Sequence, residues 1–156
     1  MRGAVMHATV EIRQAQEDDS EPISALMSEM GHPLDPETVS ANVRAIRELA
    51  PRYGTFVAVK GRSVVGVVSA FASPVLHRPH SVGRVSVLAV SRAFTGQGIG
   101  TALLLWAEAF LRDLGCSRIE VTSAAHRQEA HEFYRCRGYA QQGVRFAREF
   151  EGHNSA

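Results

Sequence analysis

At 156 residues, with a formal net charge of +1 and 21% charged residues, the chain is sized for one domain around a single core and has no overall field that would recruit nucleic acid or an anionic membrane. Cys116 and Cys136 form no CxxC pattern, which predicts two ordinary buried or half-buried thiols in a reducing compartment and excludes a disulfide framework. The opening stretch lacks the sustained apolar run of a leader, and the longest apolar region, Val64 to Ala72, is interrupted by Gly and Ser and is too short to span a bilayer; the expectation is a soluble cytoplasmic protein.

Thr9 to Arg13 alternates Val10 and Ile12 with polar neighbours, the period-two pattern of a half-buried strand. Asp18, Asp19 and Ser20 suit a helix N-cap, and the helix that follows carries Ile23, Leu26, Met27 and Met30 on one face before Gly31 ends it. Pro36 to Leu49 reads as a second helix, with Val39, Val43 and Ile46 at helical spacing. Thr55 to Lys60 and Val64 to Ser73 are β-branched apolar runs joined by a short Gly61–Ser63 turn.

The segment Pro74 to Ser81 is a loop; its His77 and His80 resemble half of a metal site but lack a third ligand, so no metal is expected. Arg84 to Val90 is a strand. After a glycine-rich loop comes a helix with Leu103, Leu104, Ala107, Phe110, Leu111 and Leu114 on one face, stopped by Gly115. Arg118 to Thr122 is another strand, His126 to Arg137 another helix, ended by Gly138, and Tyr139, Val144, Phe146 and Phe150 predict one or two closing strands. The order implies a mixed α+β fold with an antiparallel part and is not that of a regular doubly wound sheet.

The loop Thr95-Gly96-Gln97-Gly98-Ile99-Gly100-Thr101 lies between that strand and that helix. Glycine at every second position lets successive backbone N–H groups turn toward one anion as the chain enters the helix. No Lys follows Gly100, as a Walker A loop requires, and Thr stands where a Rossmann fingerprint places Gly or Ala. The loop therefore reads as a phosphate cradle of some other kind, with a merely pliable turn as the alternative.

Two blocks resemble the GNAT superfamily of N-acetyltransferases, and the likeness covers nearly all of the chain. The first is T-G-Q-G-I-G at 95–100 between strand and helix; the second is A-H-E-F-Y-R-C-R-G-Y at 130–139. The run T-S-A-A-H-R from Thr122, with Arg145 and Phe146 near the end, is similar to the bacterial branch of aminoalkylphosphonate and aminoglycoside 6′-acetyltransferase-like proteins. The resemblance implies a mixed, mostly antiparallel twisted sheet of six to seven strands flanked by about four helices, a single domain over 1–156 with tails at 1–8 and 151–156, and a homodimer.

It also implies acetyl transfer from acetyl-CoA, as cosubstrate, to a primary amine of a small molecule by direct attack on the thioester. A protein or peptide acetyltransferase and a non-catalytic acyl-CoA sensor are the alternatives. Thr95, Gly96, Gln97, Gly98, Ile99, Gly100 and Thr101 would hold the pyrophosphate, Leu88, Ala89 and Val90 would pair with the pantetheine and polarise the thioester carbonyl, and Arg127 and Phe133 would complete the cofactor contacts. Tyr134 would protonate the departing thiolate.

Three positions depart from the family pattern. Thr95 stands in place of Arg or Gln, with either a lower CoA affinity or compensation by Arg92 expected, Arg127 stands in place of Asn, and the strand Arg84 to Val87 offers no carboxylate as general base. Ser86 with a water chain, His80 and His126 are the candidates for taking the ammonium proton.

Overall fold

Ile12 and its alternating neighbours form β1, Glu11–Gln14, as the period-two pattern predicts. The structure is a computed structural model that describes residues 10–152. The tail expected at 1–8, Thr9 at the head of the first predicted strand, and residues 153–156 of the other tail lie outside the described residues. Contacts divide the chain into two compact units that meet in sequence at Val121 and Thr122.

In the first unit β1 is followed by a 3-10 turn, Glu17–Asp19, and then α1, Ser20–Glu29, and α2, Pro36–Glu48. Strands β2, Tyr53–Lys60, β3, Ser63–Ser73, and β4, Val82–Val90, lead through a second 3-10 turn, Arg92–Phe94, to α3, Ile99–Asp113, and β5, Arg118–Val121. The sheet order is β1-β2-β3-β4-β5; the first three pairings are antiparallel and β4 with β5 is parallel. The parallel pair follows from α3, the crossover helix that returns the chain to the same end of the sheet.

Adjacent strand residues point to opposite faces, and β3 shows which helices cover each. Val67 belongs to a core with Ile23, Leu26 and Met27 of α1 and Val39 and Val43 of α2. Its neighbour Gly66 lies under α3: a Cβ there would stand 2.8 Å from Leu103 and 3.3 Å from Ile99. The expected stripe of α3 is correct at Leu103, Leu104, Ala107 and Leu111, all buried. Phe110 meets Phe56 edge-on at 5.2 Å.

Asp19 does something other than cap α1. Its carboxylate accepts both terminal nitrogens of Arg13, at 2.8 and 2.9 Å, and the backbone N–H of Gln16 at 2.8 Å, tying the 3-10 turn to β1. The Arg13 guanidinium holds the Asp19 carboxyl below its ordinary value against the opposing effect of burial. A depressed folded-state pKa gives stability that is fully present above the unfolded value of about 4 and is lost as pH falls through the folded value. Asp19→Asn is expected to cost about 1–3 kcal/mol at pH 7, and this deficit should shrink as chemical denaturation is repeated below about pH 4; a deficit independent of pH would exclude the ion pair as its cause. The cap of α2 is the conventional one, with Asp35 accepting the Thr38 N–H at 2.8 Å.

The second unit contains α4, Gln128–Arg135. The Gly138 N–H donates to the Arg135 carbonyl and the Tyr139 N–H to that of Tyr134, a Schellman closure. The closing strands predicted from Tyr139 to Phe150 do not form: this stretch joins no ladder, and Val144, Phe146 and Phe150 are exposed. Alternation over Val144 and Phe146 alone, between Gly143 at φ 74° and the charges of Arg148 and Glu149, is too short to hold a hairpin by itself. The sheet thus has five strands, not six to seven, beside four α-helices among the described residues. Cys136, expected to be at least half-buried, is exposed, whereas Cys116 is partly covered. No helix among the described residues is long and apolar enough to cross a membrane.

Candidate functional site

β4 ends at Val90, the 3-10 turn follows, and Thr95 to Gly98 deliver the chain to the N-terminus of α3. Gly96 and Gly98 both have φ 79°, and a Cβ at either would meet nothing within 4 Å, so the loop presents bare, open backbone at the positive end of a helix. The first N–H groups of such a helix have no intrahelical partner. Ile99, 1% exposed, pins this end beneath β3, and the Gly98 carbonyl accepts the Ala102 N–H at 3.0 Å. The arrangement fits a phosphate group.

Thr95, where the family pattern has Arg or Gln, is turned back onto its own turn. The Thr95 hydroxyl donates to the Arg92 carbonyl at 3.0 Å. Arg92 does not reach back over the loop; its guanidinium donates to the Glu29 carbonyl and its N–H to the Glu29 carboxylate, both at 3.0 Å, anchoring the turn to α1. The cation beside the cradle is Lys60, at the end of β2. Its Nζ donates to Gln97 Oε1 at 2.6 Å and lies 5.4 Å from the Phe94 ring centre. Sequence spacing gave no signal for Lys60, because only the β2–β3 hairpin and the sheet order bring it to the loop.

β4 carries the second feature. Its ladder with β5 covers Val82 to Val85 only, so the edge from Ser86 to Val90 has no β5 partner, while on the other side Leu88, Ala89 and Val90 pair with Val68, Val67 and Gly66. That edge is available to an added, strand-like ligand. A register shift opposite Ser69 and Ala70 pairs these with Val87 and Val85, leaving Ser86 as the extra residue of a bulge. The Ser86 hydroxyl donates to the Ser69 carbonyl at 3.2 Å and lies 3.2 Å from the Tyr53 hydroxyl. Tyr53, which sequence reasoning did not single out, thus stands beside Ser86.

His80 is exposed in the β3–β4 loop and His126 is exposed ahead of α4. No group of three or more His, Cys, Asp or Glu suited to a metal ion occurs among the described residues. In the second unit Phe133, Tyr134 and Tyr139 form an aromatic cluster, with ring centres 5.2 Å apart for the first pair and 5.6 Å for the second. The Arg137 guanidinium lies 3.7 Å from the Phe133 ring centre. Burial pushes the Tyr134 phenol above its ordinary value, and the charge of Arg127 pulls it the other way. Arg127, Phe133 and Tyr134 are thus brought together as a group, as are Ser86, Leu88–Val90 and Thr95–Thr101 on β4 and the loop after it.

The fourth of the five strands, paired with β3 alone over Val87 to Val90, thus leads through a glycine turn to a crossover helix. The model of the acetyltransferase (GNAT) family matches residues 13–139, and the chain belongs to that family. The aminoalkylphosphonate N-acetyltransferase of Salmonella typhimurium is 32% identical over 139 residues, 88% of this chain and 90% of that protein. Among solved structures, a transcriptional regulator from Bacillus halodurans superposes with a TM-score of 0.83 at 23% identity over 90% of this chain and 99% of that one. An aminoglycoside N-acetyltransferase solved in complex with CoA gives 0.76 at 18% identity, over 90% and 94%.

Proposed function

We propose that the protein transfers the acetyl group of acetyl-CoA to a primary amine of a small molecule by direct attack on the thioester. The observation that carries this reading is the pairing of two vacant backbone surfaces on one strand and its loop: the β4 edge from Ser86 to Val90, and the open turn at Gly96 and Gly98. The loop backbone and Lys60 bind the pyrophosphate. The Leu88–Val90 edge aligns the pantetheine, and a backbone N–H there polarises the thioester carbonyl as oxyanion charge develops. When bound, acetyl-CoA supplies the activated acyl group and a thiolate leaving group.

Tyr134 returns the proton to that leaving group. Burial keeps the phenol protonated at neutral pH, and the nearby charge of Arg127 favours the phenolate that donation leaves behind. Ser86 accepts a hydrogen bond from the incoming amine. The acetylation of small amines by the Salmonella relative, as its name states, supports a small-molecule acceptor over a peptide.

Isothermal titration with acetyl-CoA, followed by a thiol-release screen across amine classes, tests the reading. Saturable binding with release of CoA on at least one small amine is expected. Binding without turnover on any amine, and without slow hydrolysis, would replace it with a sensor of acyl-CoA; turnover on peptides alone would replace it with a protein acetyltransferase.

A further inference from the structure

Register places four side chains in one row across the sheet: Tyr53 of β2 opposite Phe71 of β3, Phe71 opposite Arg84 of β4, and Arg84 opposite Glu120 of β5. On the same face, the row Val57, Val67 and Ala89 is buried under α1 and α2, and the row Thr55, Ser69 and Val87 is the transition, with a buried Thr55–Ser69 hydroxyl pair at 2.8 Å. The face therefore grades from apolar core to a partly open polar and aromatic floor at its far end. Tyr53 and Phe71 rings lie 4.9 Å apart as one wall, and Arg84 donates to Glu120 at 3.0 Å as the other.

Hydrogen-bond direction gives this floor a polarity. The Ser86 hydroxyl has one proton, which goes to the Ser69 carbonyl, so the contact with Tyr53 is completed by the phenol donating to Ser86. Both hydroxyl oxygens then keep acceptor lone pairs and have no proton left to give. Such a pair welcomes an ammonium and does not welcome an anion. Arg84 is the opposite: half-exposed, it gives one terminal nitrogen to Glu120 and retains its other donors, in the fork geometry that suits a phosphonate or carboxylate.

We infer that β4 carries the acceptor site in linear order, with Arg84 gripping an anionic group, Ser86 and Tyr53 receiving the ammonium, and Leu88–Val90 presenting the thioester. The inference rests on the acetyl-transfer reading above. Successive members of this order are two residues apart, about 7 Å at a strand's rise per residue; that spacing puts Ser86 on the face of Arg84, where its hydroxyl meets that of Tyr53. The acceptor class is therefore a primary amine joined by a short spacer to a negatively charged group. One ammonium proton passes directly to solvent water while the Tyr53 and Ser86 lone pairs hold the nitrogen, the amine lone pair forms the C–N bond as the C–S bond pair leaves with sulfur, and the second N–H proton is lost as the thiolate is protonated, so that amide, thiol and one proton result.

Direct binding separates this inference from the transfer reading. With CoA present, the protein is titrated with 2-aminoethylphosphonate and β-alanine as anionic probes and with ethanolamine and propylamine as uncharged-tail controls. The wild type is expected to bind at least one anionic probe about 10- to 100-fold more tightly than the controls. Arg84→Gln should bring that ratio close to one, Arg84→Lys should recover part of it, and Tyr53→Phe should weaken all the amines alike while leaving the ratio in place. Equal binding of probes and controls by the wild type, or a ratio unchanged in Arg84→Gln, overturns the inference. The expected binding pattern with no acetylated product would uphold this site and overturn the transfer reading alone.

Discussion

Tyr134→Phe is expected to lower kcat by about 100-fold or more, the usual scale for removing a positioned general acid, with little change in the KM for acetyl-CoA. The substitution removes one oxygen and keeps the ring, so the edge-on contacts with Phe133 and Tyr139 at 5.2 and 5.6 Å survive. Loss of activity therefore cannot be assigned to collapse of the cluster, which a thermal melt of the variant would check. A phenol pushed up by burial is protonated throughout the physiological range and is only a weak acid until charge develops on its acceptor. Its contribution then falls in the transition state and appears in kcat. An unchanged kcat would leave Tyr134 as a core residue with a polar tip. A rise in KM without a fall in kcat would make it a binding residue.

Arg127 offers a graded companion to that experiment. Its charge is what opposes the effect of burial on Tyr134, so Arg127→Ala removes the group that favours the phenolate. The variant is expected to show a smaller fall in kcat than Tyr134→Phe, with no further loss when the two substitutions are combined, because the second removes the group through which the first acts.

The residues reveal the parts of this protein whose determinants are local. The stripe of α3, the stop at Gly115 and the glycine-rich turn between strand and helix all depend on residues within a few positions of each other, and all are where the pattern puts them. What eluded it depends on contacts distant in sequence. Lys60 reaches Gln97 across 37 positions and Tyr53 reaches Ser86 across 33, and neither has a spacing rule. Asp19 is a good capping residue that is taken by Arg13 of the preceding strand. The two-residue alternation at Val144 and Phe146 looks like a strand, but period alone does not supply a partner edge. The bulge at Ser86 is likewise invisible in R-V-S-V-L-A-V, since it belongs to the register with β3 and not to β4 alone. In the proposed acceptor site, the Tyr53–Ser86 hydroxyl pair stands on the strand that lacks a carboxylate.

Gly98→Val is expected to weaken acetyl-CoA binding by about 100-fold or more while leaving a folded protein. At φ 79° a β-branched residue is strained by roughly 1–3 kcal/mol, a cost worth a few degrees of melting temperature at this size. Beyond its chain neighbours, no described atom lies within 4 Å of the added Cβ, so the fold has nothing to move aside. The valine methyl groups instead occupy the approach to the α3 N-terminus, where the helix dipole and unpaired N–H groups would meet phosphate. Gly98→Ala, with a single methyl group and less strain, should fall between the two. Lys60→Ala separates charge from shape: it should weaken binding by less, and it should flatten the dependence of binding on ionic strength, which Gly98→Val has no reason to change. Acetyl-CoA binding at wild-type strength by a folded Gly98→Val protein would remove the cradle, and with it the assignment of Lys60 to the cofactor, because both place the pyrophosphate against the same turn.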